Sequence, residues 1–151
     1  FISSAEAPKD VSDVDDLSEL EGLDGIICGI PTWNTGADEE RSGTAWDSIL
    51  EDIGELSLSG KKVAIFGLGD SSTYTENYCD AMEELHSYFI KAGAEMVGYV
   101  DKSTYTFDES KSVIGETFCG LPLDEDSESD LTDSRLETWA SQLKGEIPSL
   151  A

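Results

Sequence analysis

Gly25-Ile26-Ile27-Cys28-Gly29-Ile30-Pro31-Thr32-Trp33-Asn34-Thr35-Gly36 joins a short apolar run to a polar, turn-forming tail. The apolar part, bounded by glycines, predicts a buried parallel strand over residues 25–29. A parallel α/β sheet offers its ligand site just past the carboxyl ends of its strands. Trp33 falls there. Most tryptophans are core residues, but an indole set among Thr, Asn and Gly can also give a flat face to a flat ligand.

The same grammar repeats downstream. Lys62-Val63-Ala64-Ile65-Phe66 reads as a second buried strand, closed by Gly67-Leu68-Gly69-Asp70; residues 96–100 read as a third, and residues 118–123 resume strand character. Helices are predicted between them. Residues 44–56 place Trp46, Ile49, Leu50 and Ile53 at spacings of three and four. Residues 79–92 carry Met82, Leu85, Phe89 and Ile90 on one stripe with Gly93 as the C-cap. Residues 133–144, opened by Ser129-Asp130-Leu131-Thr132, carry Leu136, Trp139, Ala140 and Leu143. A short edge strand is expected around residues 8–11 and an acidic helix or turn over residues 15–21. Residues 101–120 bear aromatics without a helical period, and residues 124–133 read as an acidic, solvated loop. Strand–helix alternation means a parallel sheet with right-handed crossovers. At 151 residues the chain makes one domain.

Acidic residues number 33 against 9 basic ones, a formal net charge of -24. Such a surface repels nucleic acid and anionic lipid. It suits a partner with a basic patch, reached by steering that salt screens; a halophilic or simply very soluble protein is the plainer alternative. Cys28, Cys79 and Cys119 have no metal-ligand spacing, and Cys28 reads as a small core residue. An odd cysteine count argues against a secreted disulfide scaffold. No apolar run is long enough to span a membrane, and Phe1-Ile2-Ser3-Ser4 has no signal pattern. His86 is expected as a partly exposed helix residue.

Two loops leave two consecutive strands at one sheet edge. The first offers Thr32, Trp33, Asn34, Thr35 and Gly36; the second offers Gly67, Gly69, Asp70, Tyr74, Asn77 and Tyr78. Adjacent strands lie about 4.8 Å apart, so Trp33 and Tyr74 can flank one planar group. No nucleophile with a matching base is visible.

These segments resemble flavodoxin. Pro31-Thr32-Trp33-Asn34-Thr35-Gly36, Gly67-Leu68-Gly69-Asp70, Tyr74 and Asn77-Tyr78-Cys79-Asp80 carry the likeness. Tyr105-Thr106-Phe107-Asp108-Glu109-Ser110-Lys111, Gly120-Leu121-Pro122-Leu123-Asp124-Glu125-Asp126 and Ser129-Asp130-Leu131-Thr132-Asp133 are similar to the long-chain type. Ala37-Asp38 with Arg41-Ser42-Gly43-Thr44 looks closest to algal members. The resemblance implies a doubly wound parallel sheet of order 2-1-3-4-5 and a low-potential one-electron carrier holding FMN. It implies Trp33 on the inner isoalloxazine face, Tyr74 on the outer one, and the Asn34–Thr35 peptide near flavin N5, where the backbone reorients on reduction. Backbone groups of Gly69, Asp70 and nearby residues such as Leu68 would contact the pyrimidine edge, and Gly36 would belong to the same cofactor-binding set. Thr32 would match the phosphate and ribityl side, and Asp126 would lie near the ribityl chain. Thr35 is β-branched, so a positive φ there should be costly.

The resemblance also implies photosystem I and ferredoxin–NADP reductase as partners, a monomer when complete, and a chloroplast stroma, with bacterial cytoplasm second. It begins partway into the family pattern. The first, central strand and its Thr/Ser/Gly-rich phosphate loop are expected to be absent from residues 1–151, leaving an N-terminally incomplete domain with weak FMN binding by this stretch alone. The alternative is a flavin-free, flavodoxin-like binding subunit of a larger assembly. A flavin-dependent quinone reductase would need room over the flavin that Tyr74 is expected to cover. A receiver domain would need Asp where Pro31-Thr32-Trp33 stands.

Overall fold

The run that opens the sequence reading forms β1 (Gly25–Pro31), which pairs in parallel with β2 (Lys62–Leu68) from Gly25 opposite Lys62 to Pro31 opposite Leu68. The computed structural model describes residues 1–151. The strand runs two residues past the predicted end because its alternation continues: Ile26, Cys28 and Ile30 are buried on one face.

On its other side β2 pairs with two separate segments. Lys62 to Ala64 face β3 (Glu95–Val97), and Phe66 to Leu68 face β7 (Leu121–Leu123), both in parallel. The two segments lie end to end along β2 and act as one edge strand interrupted by residues 98–120. The interruption begins at Gly98, whose φ of 78° turns the chain out of the sheet. Glu146 accepts from the Gly98 N–H at 2.6 Å, and the Trp139 indole donates to its carbonyl at 2.8 Å. The third strand therefore stops at Val97 instead of reaching residue 100. Beyond it, β4 (Val100–Asp101), β5 (Val113–Ile114) and β6 (Thr117–Phe118) make a small antiparallel sheet of order β4-β6-β5.

Helices cover both faces. On one, α1 (Leu50–Gly54) and α2 (Ala81–Lys91) bury Leu50, Ile53, Met82, Leu85 and Phe89 against Ile26, Cys28, Ile30, Val63 and Ile65. On the other, α3 (Thr132–Glu146) sets Trp139 and Leu143 against Ala64, Leu121 and Leu123, with Ile27 and Phe66 packed alongside. Period-2 alternation along β2 feeds the two layers in turn. α2 lies so close to β2 that a Cβ on Gly67 would come 2.4 Å from Met82 Cγ. This is a doubly wound α/β arrangement.

Several expectations need correction. Residues 8–11 form no strand: Asp10 caps a 3-10 turn at Val11–Asp13 by accepting from the Ser12 N–H. Only Leu50–Gly54 of the predicted 44–56 helix is α-helical. Ahead of it, Ser42, Thr44 and Asp47 side chains hold the backbone in turns, with the Gly43 N–H on Asp47 and the Trp46 N–H on Thr44. Ile90 does not share the buried stripe of α2; it is exposed. His86 is buried, with its Nε2 2.5 Å from the Tyr99 hydroxyl.

Candidate functional site

The site is built where β1, β2 and β7 end together. The Thr32 N–H donates to the Leu68 carbonyl at 3.1 Å, carrying the β1–β2 ladder one step beyond the strands. The Gly69 N–H does the same toward Leu123 at 3.1 Å. Three loops therefore leave one edge from a common level.

The first loop is a narrow hairpin. The Trp33 N–H donates to Ser42 O at 3.1 Å and the Asn34 N–H to Arg41 O at 3.0 Å. The Asn34 side chain donates to Glu40 O at 3.0 Å, and the Thr35 hydroxyl to Thr32 O at 2.9 Å. Gly36, with φ of 83°, makes the turn. Thr35 keeps a negative φ, as its β-branch favours; the non-glycine residues at positive φ are Glu40 and Cys79.

The second loop is folded on Asp70. Its carboxylate accepts from the Ser72 and Thr73 N–H groups at 3.1 and 2.9 Å, and from the Ser127 hydroxyl. The Thr73 N–H, then its hydroxyl, hold Asp70 below the usual carboxylate range. The Asp70 carbonyl accepts from the Tyr74 N–H at 3.0 Å. The third loop turns around Asp124, a fully buried carboxylate that accepts from Ser71 N–H and hydroxyl at 2.8 and 2.6 Å. It also accepts from the Asp126 and Ser127 N–H groups at 3.0 and 2.8 Å.

Trp33 and Tyr74 stand on neighbouring loops with 77% and 49% of their surfaces exposed. Neither is a core residue. Asn34, Gly36 and Asp126 are exposed and Thr35, Leu68, Gly69, Asp70 and Asn77 half-buried around the same edge. Thr32 is buried, and its hydroxyl accepts from the Ala81 N–H at 3.3 Å, tying the first loop to α2. Gly67 is buried against Met82. Tyr78 is a correction. Its ring is fully buried against Phe118, Phe107 and Tyr105, so its side chain does not stand at this edge. Its backbone is also engaged, its N–H on Glu109 and its carbonyl on the Ser110 hydroxyl. Sequence reading passed over Asp124 and Arg41. The signal for Arg41 was a lone arginine closing Asp38-Glu39-Glu40.

The donor set suits the ring end of a flavin. Two aromatic faces stand free, and the N–H groups of Thr35 and Asp70 have no acceptor within the protein. The cysteine thiols are poor nucleophiles here. All three cysteines are buried, and desolvation pushes the Cys28 and Cys119 thiols up to about 12. No group of residues here could hold a metal ion.

A parallel sheet with helices on both faces and aromatic-bearing loops at its strand tips defines the doubly wound proteins that bind a flat ligand across their carboxyl edge. Residues 3–139 match the family profile described as Flavodoxin. The chain is 42% identical over 141 residues to the flavodoxin of Synechococcus elongatus, an alignment spanning 93% of this chain and 77% of that one. It is 40% identical over 129 residues to flavodoxin 2 of Salmonella typhi, spanning 84% and 72%. The solved flavodoxin of Fusobacterium nucleatum bound to flavin mononucleotide superimposes with a TM-score of 0.78 at 29% identity, covering 85% of this chain and 75% of that one. This chain belongs to the flavodoxin family.

Proposed function

We propose that the chain is an FMN-dependent one-electron carrier with no substrate of its own. The observation that carries this reading is the pair of exposed aromatic rings, Trp33 and Tyr74, on loops that leave adjacent strands at one edge. Exposed large aromatics on rigid loops are expensive in water and mark a surface meant to be covered. Bound FMN supplies the one-electron chemistry. The rings of Trp33 and Tyr74 grip its flat faces and exclude water. Gly69 and Asp70 bring a free backbone donor to its edge, and the Asn34–Thr35 peptide offers a second. Asp38, Glu39, Glu40, Asp70 and Asp126 surround the edge with negative charge, which opposes any further negative charge in the site and keeps the last reduction difficult.

The partners that fit are redox proteins with basic docking faces, photosystem I and ferredoxin–NADP reductase among them. The cyanobacterial relatives support that choice, but enterobacterial relatives of similar identity leave it a matter for assay. These relatives are all bacterial, which favours a bacterial cytoplasm; the plastid stroma gains no support from them. Residues 98–120, which split the edge strand, support the long-chain type. The test is a titration of the FMN-free natural protein, followed by quenching of flavin fluorescence. Stoichiometric, submicromolar binding that weakens in Trp33→Ala supports the reading. A protein that takes up no FMN is instead the flavin-free binding subunit.

A further inference from the structure

Arg41 is the best-anchored cation in an acidic chain. Its guanidinium Nη1 donates to Glu83 Oε2 at 2.7 Å and to the Asp80 carbonyl at 3.2 Å, both at the start of α2. Its Nη2 and Nε both reach the Asp38 carbonyl, at 3.0 and 3.3 Å. Its backbone is pinned as well. The Glu84 carboxylate accepts from the Arg41 and Glu40 N–H groups at 2.7 and 2.8 Å, holding Glu40 at a φ of 55°. The carbonyls of Arg41 and Glu40 then accept from the Asn34 N–H and the Asn34 side chain. The return limb of the Trp33 hairpin is thus bolted to α2, and the outgoing limb hangs on it.

One more bond closes the circuit. The Ala37 N–H donates to the Asn34 carbonyl at 3.2 Å. Ala37 adjoins Asp38, the residue that the guanidinium grips twice. Resting on the reading that this edge holds FMN, we propose that Arg41 is a positioning residue for the Asn34–Thr35 peptide. Acting through Asp38 and Ala37, it sets the gap between the two one-electron potentials of the bound flavin. For that peptide to rotate, the Asn34 carbonyl must leave the Ala37 N–H. The more firmly Ala37 is held, the more that rotation costs. A carbonyl free to turn toward the ring edge can accept a hydrogen bond from a ring nitrogen when the cofactor carries a proton there, and it favours that redox level over the others.

The test uses Arg41→Met and Glu84→Gln in the full natural protein. In the FMN-free form, amide exchange at Ala37 should quicken at least tenfold in Arg41→Met, while the amides of α2 stay as protected as before. In the FMN-loaded form, the comproportionation constant should rise about tenfold, a widening of ~59 mV between the two one-electron couples. Glu84→Gln keeps the side-chain volume and one acceptor, and should move both readouts the same way by roughly threefold; it decides the matter if Arg41→Met does not fold. A clamp with only a structural role would weaken FMN binding at every redox level alike and leave both potentials in place. That result, or unchanged exchange at Ala37, overturns the proposal. Failure of the unsubstituted protein to bind FMN overturns the carrier reading instead, and the exchange arm still reports on the clamp.

Discussion

Trp33 leaves 77% of its surface in water at the tip of a hairpin whose backbone is fixed on both limbs. A ring so exposed contributes little to folding, so its truncation separates binding from stability. Trp33→Ala should weaken FMN binding by roughly ten- to a hundredfold, the equivalent of ~1.5–3 kcal/mol of buried aromatic surface. Tyr74→Ala should fall at the lower end, since the ring is already half covered. Thermal unfolding of the FMN-free forms should shift by no more than about 0.5 kcal/mol. A large stability loss in either variant would mark the ring as structural. His86 shows the opposite behaviour. It is buried, and desolvation lowers its pKa from 6.5 against a smaller upward pull from Glu83; Tyr99 faces its ring. Below pH 6.5 the unfolded chain binds a proton that the folded chain refuses. Its contribution is therefore complete above that pH and is lost as pH falls, by at most about 1.4 kcal/mol per pH unit. The loss levels off once the folded imidazole is protonated too. Urea titrations between pH 7.5 and 5 should show this slope, and His86→Gln should remove it; an unchanged slope in the variant would assign it to other groups.

At the scale of elements, the loops hold their places through buried polar ties that cross long stretches of chain. Asp124, just past the end of β7, accepts four hydrogen bonds from Ser71, Asp126 and Ser127. Asp124→Ala would leave three backbone donors without their acceptor, the Ser71 N–H in a buried position and those of Asp126 and Ser127 near solvent, and should destabilise the fold by about 1–3 kcal/mol. Chemical denaturation measures this directly, and a loss under about 1 kcal/mol would mean that water replaces the carboxylate. Gly67→Ala drives a methyl into Met82 and should cost about 1–3 kcal/mol. These ties also mark how far the sequence could be read. Strands β1 and β2 and helix α2 were legible because burial repeats locally, every second or every third to fourth residue. The helix over residues 44–56 misled for the same reason. Trp46 does pack inward, but its indole donates to Gly29 O from a turn that Thr44 and Asp47 enforce. The strand over residues 96–100 misled because Gly98 is captured by Trp139 and Glu146, more than forty residues away. Loop chemistry at the strand tips was visible in Trp33, Gly69 and Asp70. The Arg41 clamp was not, since its partner Glu83 lies 42 positions downstream.

Over the whole molecule a formal charge of -24 has two consequences of opposite sign. Inside the chain, like charges repel. Most of the ion pairs, such as Lys62 with Glu95 and Lys91 with Glu51 and Glu55, are exposed enough to contribute only ~0–1 kcal/mol each. They cannot offset an excess of acids this large, so self-repulsion dominates over pairing. Added salt weakens both, and the larger effect decides the outcome. The melting temperature should rise between about 20 mM and 0.5 M NaCl, over which the Debye length shrinks from roughly 20 Å to about 4 Å. Toward a redox partner with a basic face the same screening does harm. It removes the long-range attraction that speeds encounter by roughly 10- to 1,000-fold. The second-order rate of electron transfer to such a partner should fall at least tenfold over the same range while the protein itself becomes harder to melt. Stopped-flow kinetics and calorimetry in matched buffers test the pair together. A rate indifferent to salt, beside a melting temperature that climbs, would leave the acidic surface as a solubility device and remove electrostatic docking from the carrier reading.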